Sequence, residues 1–206
     1  MVIEKAALVI GGGVAGMTVA LTLAEQGFPV HLLEQSAALG GNLRHLHFGL
    51  HEHGIGADLK RNGRYLSPPE YLGELEAEIE RSPLITLHLE TELGASTGFM
   101  GNFSSSLRRL DGNGEAIEIN HGVTILATGG VEYRGQEYGY GSDRRITTQQ
   151  QFEADLAELA DGRLGDDRPA PDEVVMIQCV GPATRYCGRI CCTSALKNAL
   201  TCKRLR

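Results

Sequence analysis

AALVIGGGVAGMTVALTLAEQGFPVHLLE, residues 6–34, decides the fold, because this one stretch holds every part of a dinucleotide-binding βαβ unit. The apolar run Ala6 to Ile10 reads as a buried parallel strand. It ends at Gly11, Gly13 and Gly16, in the spacing GxGxxG, and an amphipathic helix follows directly. Gly11 permits the tight turn, Gly13 lets backbone approach a pyrophosphate, and Gly16 lets the helix lie close on the strand. The anion then sits at the helix N-terminus beside Val14 and Ala15, where free N–H groups and the positive dipole end favour it. Gly27 is placed to stop the helix, and Pro29 to Leu33 forms the second strand. That strand ends in Glu34, eighteen residues past Gly16 and followed by Gln35, where a carboxylate accepts hydrogen bonds from a ribose 2′-hydroxyl. The same carboxylate repels a 2′-phosphate.

The 206 residues suffice for one sizeable domain and the beginning of another. Twenty-seven glycines and no tryptophan fit an α/β protein with many tight turns. A net charge of −7 and the lack of any basic stripe exclude a nucleic-acid partner. Apolar runs are strand-sized, short of the roughly 18 residues a membrane helix needs, so no membrane span is expected. The start, Met1-Val2-Ile3-Glu4-Lys5, carries no signal-peptide pattern, and the expected location is cytoplasmic. There, five cysteines point to metal or redox chemistry rather than structural disulfides.

The choice between NAD and FAD rests on what lies beyond Glu34. Leu39-Gly40-Gly41-Asn42-Leu43-Arg44 resembles the double-glycine motif that follows the first βαβ unit in two-dinucleotide flavoproteins. Val123 to Leu126, running into Ala127-Thr128-Gly129-Gly130, resembles their second flavin-approaching strand and turn, although alone it also reads as an ordinary strand end. Together the two motifs favour FAD.

Ser67-Pro68-Pro69-Glu70 starts a helix that runs to about Arg81, with Tyr71, Leu72, Leu75 and Ile79 as its apolar stripe. Ile85–Leu89 alternates as a strand. Segments around Phe103–Leu110 and Glu115–Ile119 flank the turn signal Asp111-Gly112-Asn113-Gly114, and these pieces read as a small antiparallel sheet inserted before the Thr-Gly-Gly strand. Thr148 to Asp161 reads as an acidic helix. The fold expected is α/β: a Rossmann-like FAD-binding domain over 1–161, a linker over 162–172, and the start of a second Rossmann-like domain over 173–206. That second domain opens with the buried strand Glu173–Gln178.

Cys179, Cys187, Cys191 and Cys192 fall within fourteen residues after that strand. Their spacing matches neither paired zinc-ribbon CxxC units nor the usual bacterial ferredoxin run. Adjacent cysteines suit a multi-iron cluster, since neighbouring side chains diverge toward different irons, and four thiolates meet the need of a [4Fe–4S] cube. Spacing alone leaves buried or redox-idle thiols as an equal reading. Cys202, on the helix expected over Ser194–Lys203, stands apart.

With these motifs in hand, the chain resembles the FAD-carrying A subunits of heterodisulfide reductases and the quinone-interacting oxidoreductase flavoproteins. The matching stretches are GGGVAGMTVALTLAEQGFPVHLLE, LGGNLR, TGFMGNF, ILATGG, EYGYG, and VVMIQCVG with YCGRICCTSALKNAL. The resemblance implies a thioredoxin-reductase-like arrangement, in which an FAD domain is interrupted by a second Rossmann-like domain, and a cluster held by Cys179, Cys187, Cys191 and Cys192 next to the flavin. The gap between Cys179 and Cys187 is shorter than the family's usual one. Members are much longer, so the chain reads as truncated, with part of its sheet uncovered and self-association expected.

His45, His47, His51 and His53 alternate after the double glycine; they read foremost as an exposed polar loop, with metal binding or proton donation as alternatives. The expected function is an oxidoreductase subunit that relays electrons between FAD and a [4Fe–4S] cluster toward partner redox subunits. The alternatives are a non-catalytic FAD- or ADP-binding fragment and a flavin-dependent dithiol oxidoreductase working through Cys191 and Cys192. No residue is assigned a catalytic role.

Overall fold

The computed structural model describes residues 3–49, 59–110, 112, 116–163, 165, 170–182 and 187–205. In chain order its elements are β1 (Ala7–Ile10), α1 (Val14–Glu25), β2 (Val30–Leu33), β3 (Leu59–Arg61), β4 (Arg64–Leu66), α2 (Pro68–Arg81) and β5 (Ile85–His88). There follow β6 (Thr91–Phe99), β7 (Asn102–Arg109), β8 (Ala116–His121), β9 (Val123–Leu126), α3 (Gln149–Ala160) and α4 (Ile190–Arg204). They group into two compact units, Met1–Arg44 with Glu70–Gly130, and His45–Pro69 with Val131–Arg206.

The first unit is Rossmann-like. Its parallel sheet has the order β5-β2-β1-β9, with Ala7 opposite both Val30 and Val123. Central β1 is buried along almost its whole length, as its unbroken apolar sequence requires. Gly27 takes φ 85° just past α1, the left-handed stop expected from sequence. The antiparallel sheet β6-β7-β8 is the expected insertion, and Leu107 and Ile119 from it form a core with Leu8 and Leu33 of the parallel sheet. Each such buried side chain contributes about 1.5–3 kcal/mol relative to exposure.

Three details differ from expectation. Ile85–His88 does not join the antiparallel insertion; it pairs with β2 in parallel register, Val30 opposite Ile85, because the helix before it makes it the product of a crossover. The nine-residue β6 is not expected from sequence, since its Gly, Ser and Thr residues give little apolar alternation. Glu173–Gln178 forms no strand; Val174, Val175 and Ile177 are exposed. An apolar run becomes a buried parallel strand only when neighbours cover both of its faces, and among the described residues none pairs with it. Most of the expected turn at 111–114 lies outside the described residues, as do His51, His53 and much of the 162–172 linker.

In the second unit, β3 and β4 form a hairpin across Asn62 and Gly63, both at positive φ, and a Thr148 capping box starts α3. Helices α3 and α4 pack on each other. Among the described residues no helix is long and apolar enough to cross a membrane.

Candidate functional site

The glycines divide by what surrounds them. A Cβ on Gly16 would lie 1.8 Å from the Gly11 carbonyl oxygen, and one on Gly11 would lie 2.3 Å from that of Ala127. These two residues therefore permit strand, turn and helix to close on one another. A Cβ on Gly13 would meet nothing within 4 Å. Gly13 is the N-cap of α1, supplies no side-chain cap, and no acidic residue occupies the first turn. The first-turn amides, with Val14 and Ala15 exposed beside them, are thus presented toward solvent and can receive an anion.

Glu34, at the end of β2, is buried and held by backbone. Its Oε2 accepts from the Gly12 N–H at 2.7 Å and its Oε1 from the Ser36 N–H at 2.8 Å. The carboxylate thus shapes the glycine turn from below, a role not read from sequence. A carboxylate has about four acceptor positions, so two remain for ribose hydroxyls. Gln35 beside it is exposed.

The other two motifs reach the same turn. The Gly40 N–H donates to the Gly12 carbonyl at 2.8 Å, and Gly13 and Gly40 form a parallel bridge. Gly41 to His45 make a 3-10 turn with Leu43 buried; Arg44 secures it by hydrogen bonding to the Leu39 carbonyl and pairing with Glu76. The Asn42 Nδ2 donates to the Gly130 carbonyl at 2.8 Å, linking the double-glycine and Thr-Gly-Gly turns. Ala127 is half-buried, Thr128 and Gly129 exposed. Gly11, Gly13, Gly16, Glu34, Gly40, Asn42 and Ala127 are therefore brought together around one helix N-terminus.

All five cysteines are free thiols. Cys191 and Cys192 lie in the first turn of α4, which begins after Arg189 at φ 58°. Cys179 and Cys187 are exposed. Partial desolvation, then the neighbouring Cys191, then Cys179 and Cys187, push the Cys192 thiol above its ordinary range. Cys192 is thus the thiol that feels each of the other three. By donor chemistry the set fits a thiolate-ligated cluster. Among the described residues no group of three or more Cys, His, Asp or Glu side chains is arranged to hold a metal ion. Residues 183–186, between two of the cysteines, lie outside the described residues.

Sequence reading missed two polar groupings. His31 Nδ1 and His88 Nε2 lie 3.0 Å apart, and His121 bonds Ser105 Oγ at 2.8 Å and the Val123 carbonyl at 3.1 Å. Burial, then His31, lowers His88 to about 4; burial, then His121, lowers His31, opposed by Glu4. Burial also lowers His121. His121 is fully buried and His31 and His88 are half-buried; their alternate strand positions were their signal. The second grouping is Glu153 with Lys197, buried at 2% and 6% exposure. The sequence carries no signal for it: the buried face of α4 is Ala195, Lys197, Asn198 and Thr201, while its large apolar residues Ile190, Leu196 and Leu200 are exposed.

The family described as NAD(P)-binding Rossmann-like domain matches residues 9–76, which contain this turn, Glu34 and the double glycine. The A subunit of ferredoxin:CoB-CoM heterodisulfide reductase from Methanosarcina acetivorans is 25% identical, aligned over 98% of this chain and 39% of its own. The chain is similar to the A subunits of heterodisulfide reductases. The iron-sulfur A subunit of CoB–CoM heterodisulfide reductase from Methanocaldococcus jannaschii is 26% identical over 96% of this chain and 41% of its own. The chain thus spans about two-fifths of the length of these relatives. L-proline dehydrogenase from P. horikoshii, a solved structure, is 26% identical with a TM-score of 0.46, covering 63% of this chain and 23% of its own.

Proposed function

We propose that this chain is the flavin-holding part of an oxidoreductase like the heterodisulfide reductase A subunits, binding FAD at the α1 N-terminus and a [4Fe–4S] cluster at Cys179, Cys187, Cys191 and Cys192. The carrying observation is the uncapped α1 N-terminus with an open Gly13, bracketed by Glu34, Gly40 and the Asn42 to Gly130 link. The bound groups would supply the redox chemistry, FAD exchanging electrons in pairs and a cluster singly. The chain's part is to bind and orient. First-turn amides at Val14, Ala15 and Gly16 take the pyrophosphate, Glu34 with Gln35 receives the ribose, and Gly40 to Leu43 with Ala127 to Gly129 wall the path toward the flavin. The joint presence of the two flavoprotein-like turns supports FAD over NAD, and Glu34 opposes a 2′-phosphate.

We include in the proposal the division into 1–161, linker 162–172 and cysteine-bearing 173–206, a cytoplasmic location, and redox subunits of a larger complex as partners. Self-association is also included, supported by the sheet-edge strand β9, where Val123 and Leu126 are exposed. One observation favours a second reading. Cys191 and Cys192 are adjacent free thiols, as a dithiol oxidoreductase needs. Purification without oxygen, followed by assay of released flavin, iron and sulfide, separates the readings. Flavin with about four irons per chain supports the relay. Flavin with titratable thiols and no iron supports the dithiol enzyme or a binding fragment, and absence of both overturns the proposal.

A further inference from the structure

Among the described residues Glu153 on α3 is the most buried carboxylate of the second unit, and one of its oxygens faces two backbone donors and one ammonium. Oε1 accepts from the His47 N–H at 2.8 Å and the Phe48 N–H at 3.2 Å, and it pairs with the Lys197 ammonium of α4. Burying two charges costs several kcal/mol per ion before their attraction is counted, and an apolar pair of like volume would hold two helices together equally well. What an apolar pair lacks is direction. A carboxylate fixed by two backbone amides presents its oxygen at one place, and Lys197 reaches it in only one register of α4 against α3. Register matters here because Cys191 and Cys192 stand six and five residues before Lys197, about 8 Å along the helix axis. Sliding α4 by one residue would turn each thiol by about 100°. The left-handed Arg189 immediately before α4 opposes that slide from the other end, since a new residue would have to adopt its φ of 58°.

We propose that Glu153 is a positioning residue for the cysteine site: through Lys197 it sets the register of α4, and so the directions of Cys191 and Cys192. Through His47 and Phe48 it ties the segment after His45 to the same helix pair. The inference rests on the reading of these thiols as ligands only for its consequence, cluster loading; the thiol directions stand without it.

The test compares wild type with Glu153→Gln/Lys197→Met, which keeps an acceptor for the amides but removes the ion pair, and with Asn198→Ala. Asn198 bonds the Gln149 carbonyl and Oε1 at 3.1 and 3.0 Å, so its loss loosens the same helix contact without touching Glu153. In the metal-free chain, the alkylation rates of Cys191 and Cys192 by iodoacetamide are read by mass spectrometry. Wild type should alkylate exposed Cys191 at least about fivefold faster than half-buried Cys192. The double variant should fold, judged by circular dichroism, with that ratio collapsed toward one, while Asn198→Ala keeps it. Iron bound after anaerobic reconstitution should fall by half or more in the double variant alone. An unchanged ratio in the double variant, or an equal collapse in Asn198→Ala, overturns the proposal. If the double variant does not fold, Lys197→Met alone, which leaves Glu153 its amides, decides by the same ratio. If wild type takes up no iron, the cluster reading fails while the alkylation ratio still decides on Glu153.

Discussion

The glycine turn around α1 and the cysteine segment around α4 hold comparable densities of chemistry-bearing residues, yet they are specified in different ways. At the glycine turn, backbone meets backbone: Gly16 lies against the Gly11 carbonyl and Gly11 against Ala127, so no other residue fits and the site is built before any ligand arrives. In the cysteine segment the thiols are not in a ligating arrangement among the described residues, and what aims two of them in our proposal is a buried ion pair about one and a half turns away. A preformed site is fixed by local packing, whereas a metal site completes its geometry when its ligands are deprotonated and bound.

The largest effect should come from breaking the first region. Gly16→Val places a Cβ 1.8 Å from a carbonyl oxygen, and overpacking typically costs about 1–3 kcal/mol, more where backbone must move. We expect lost flavin binding together with a lowered urea midpoint. Gly13→Val sharpens the contrast: its Cβ enters open space, so the midpoint should fall far less than in Gly16→Val while FAD affinity falls tenfold or more in a fluorescence titration. Next, Cys191→Ser with Cys192→Ser should remove most bound iron and leave flavin affinity within twofold, showing that the two regions bind independently.

A smaller effect concerns the half-buried imidazoles. Folded His88 sits near 4 and the unfolded residue near 6.5, so the folded state binds protons less readily. Stability is complete above pH 6.5 and is lost as pH falls toward 4, by about 1 kcal/mol once solvent screening of a half-buried group is discounted. Urea unfolding at pH 7 and pH 5 measures this, and His88→Gln should flatten the difference. The smallest effect is expected at the sheet edge, where Leu126→Lys should lower self-association in sedimentation without altering flavin affinity.

The same contrast explains how much the sequence discloses. β1, α1, β2 and β9 are legible because apolar period, glycine spacing and helix stop all coincide within about thirty residues or recur as a strand running into a turn. The Asn62-Gly63 hairpin carries a turn signal, but its short, charged flanks obscure it. β6 and the Glu153 and Lys197 pair are not legible, since polar strand residues are decided by the partner strand, and a buried charge is defined only by the opposite charge it meets across two helices. Glu173–Gln178 misleads for the related reason that an apolar run carries no information about whether neighbours exist to bury it.

The most direct test of the nucleotide-site assignment is equilibrium titration of the reduced-thiol, metal-free chain with FAD, NADH and NADPH under one set of conditions. The account predicts saturable FAD binding at least tenfold tighter than NADH, no detectable NADPH binding, and loss of the FAD signal in Gly13→Val. Tighter binding of NADPH than of FAD, or FAD binding untouched by Gly13→Val, would contradict it.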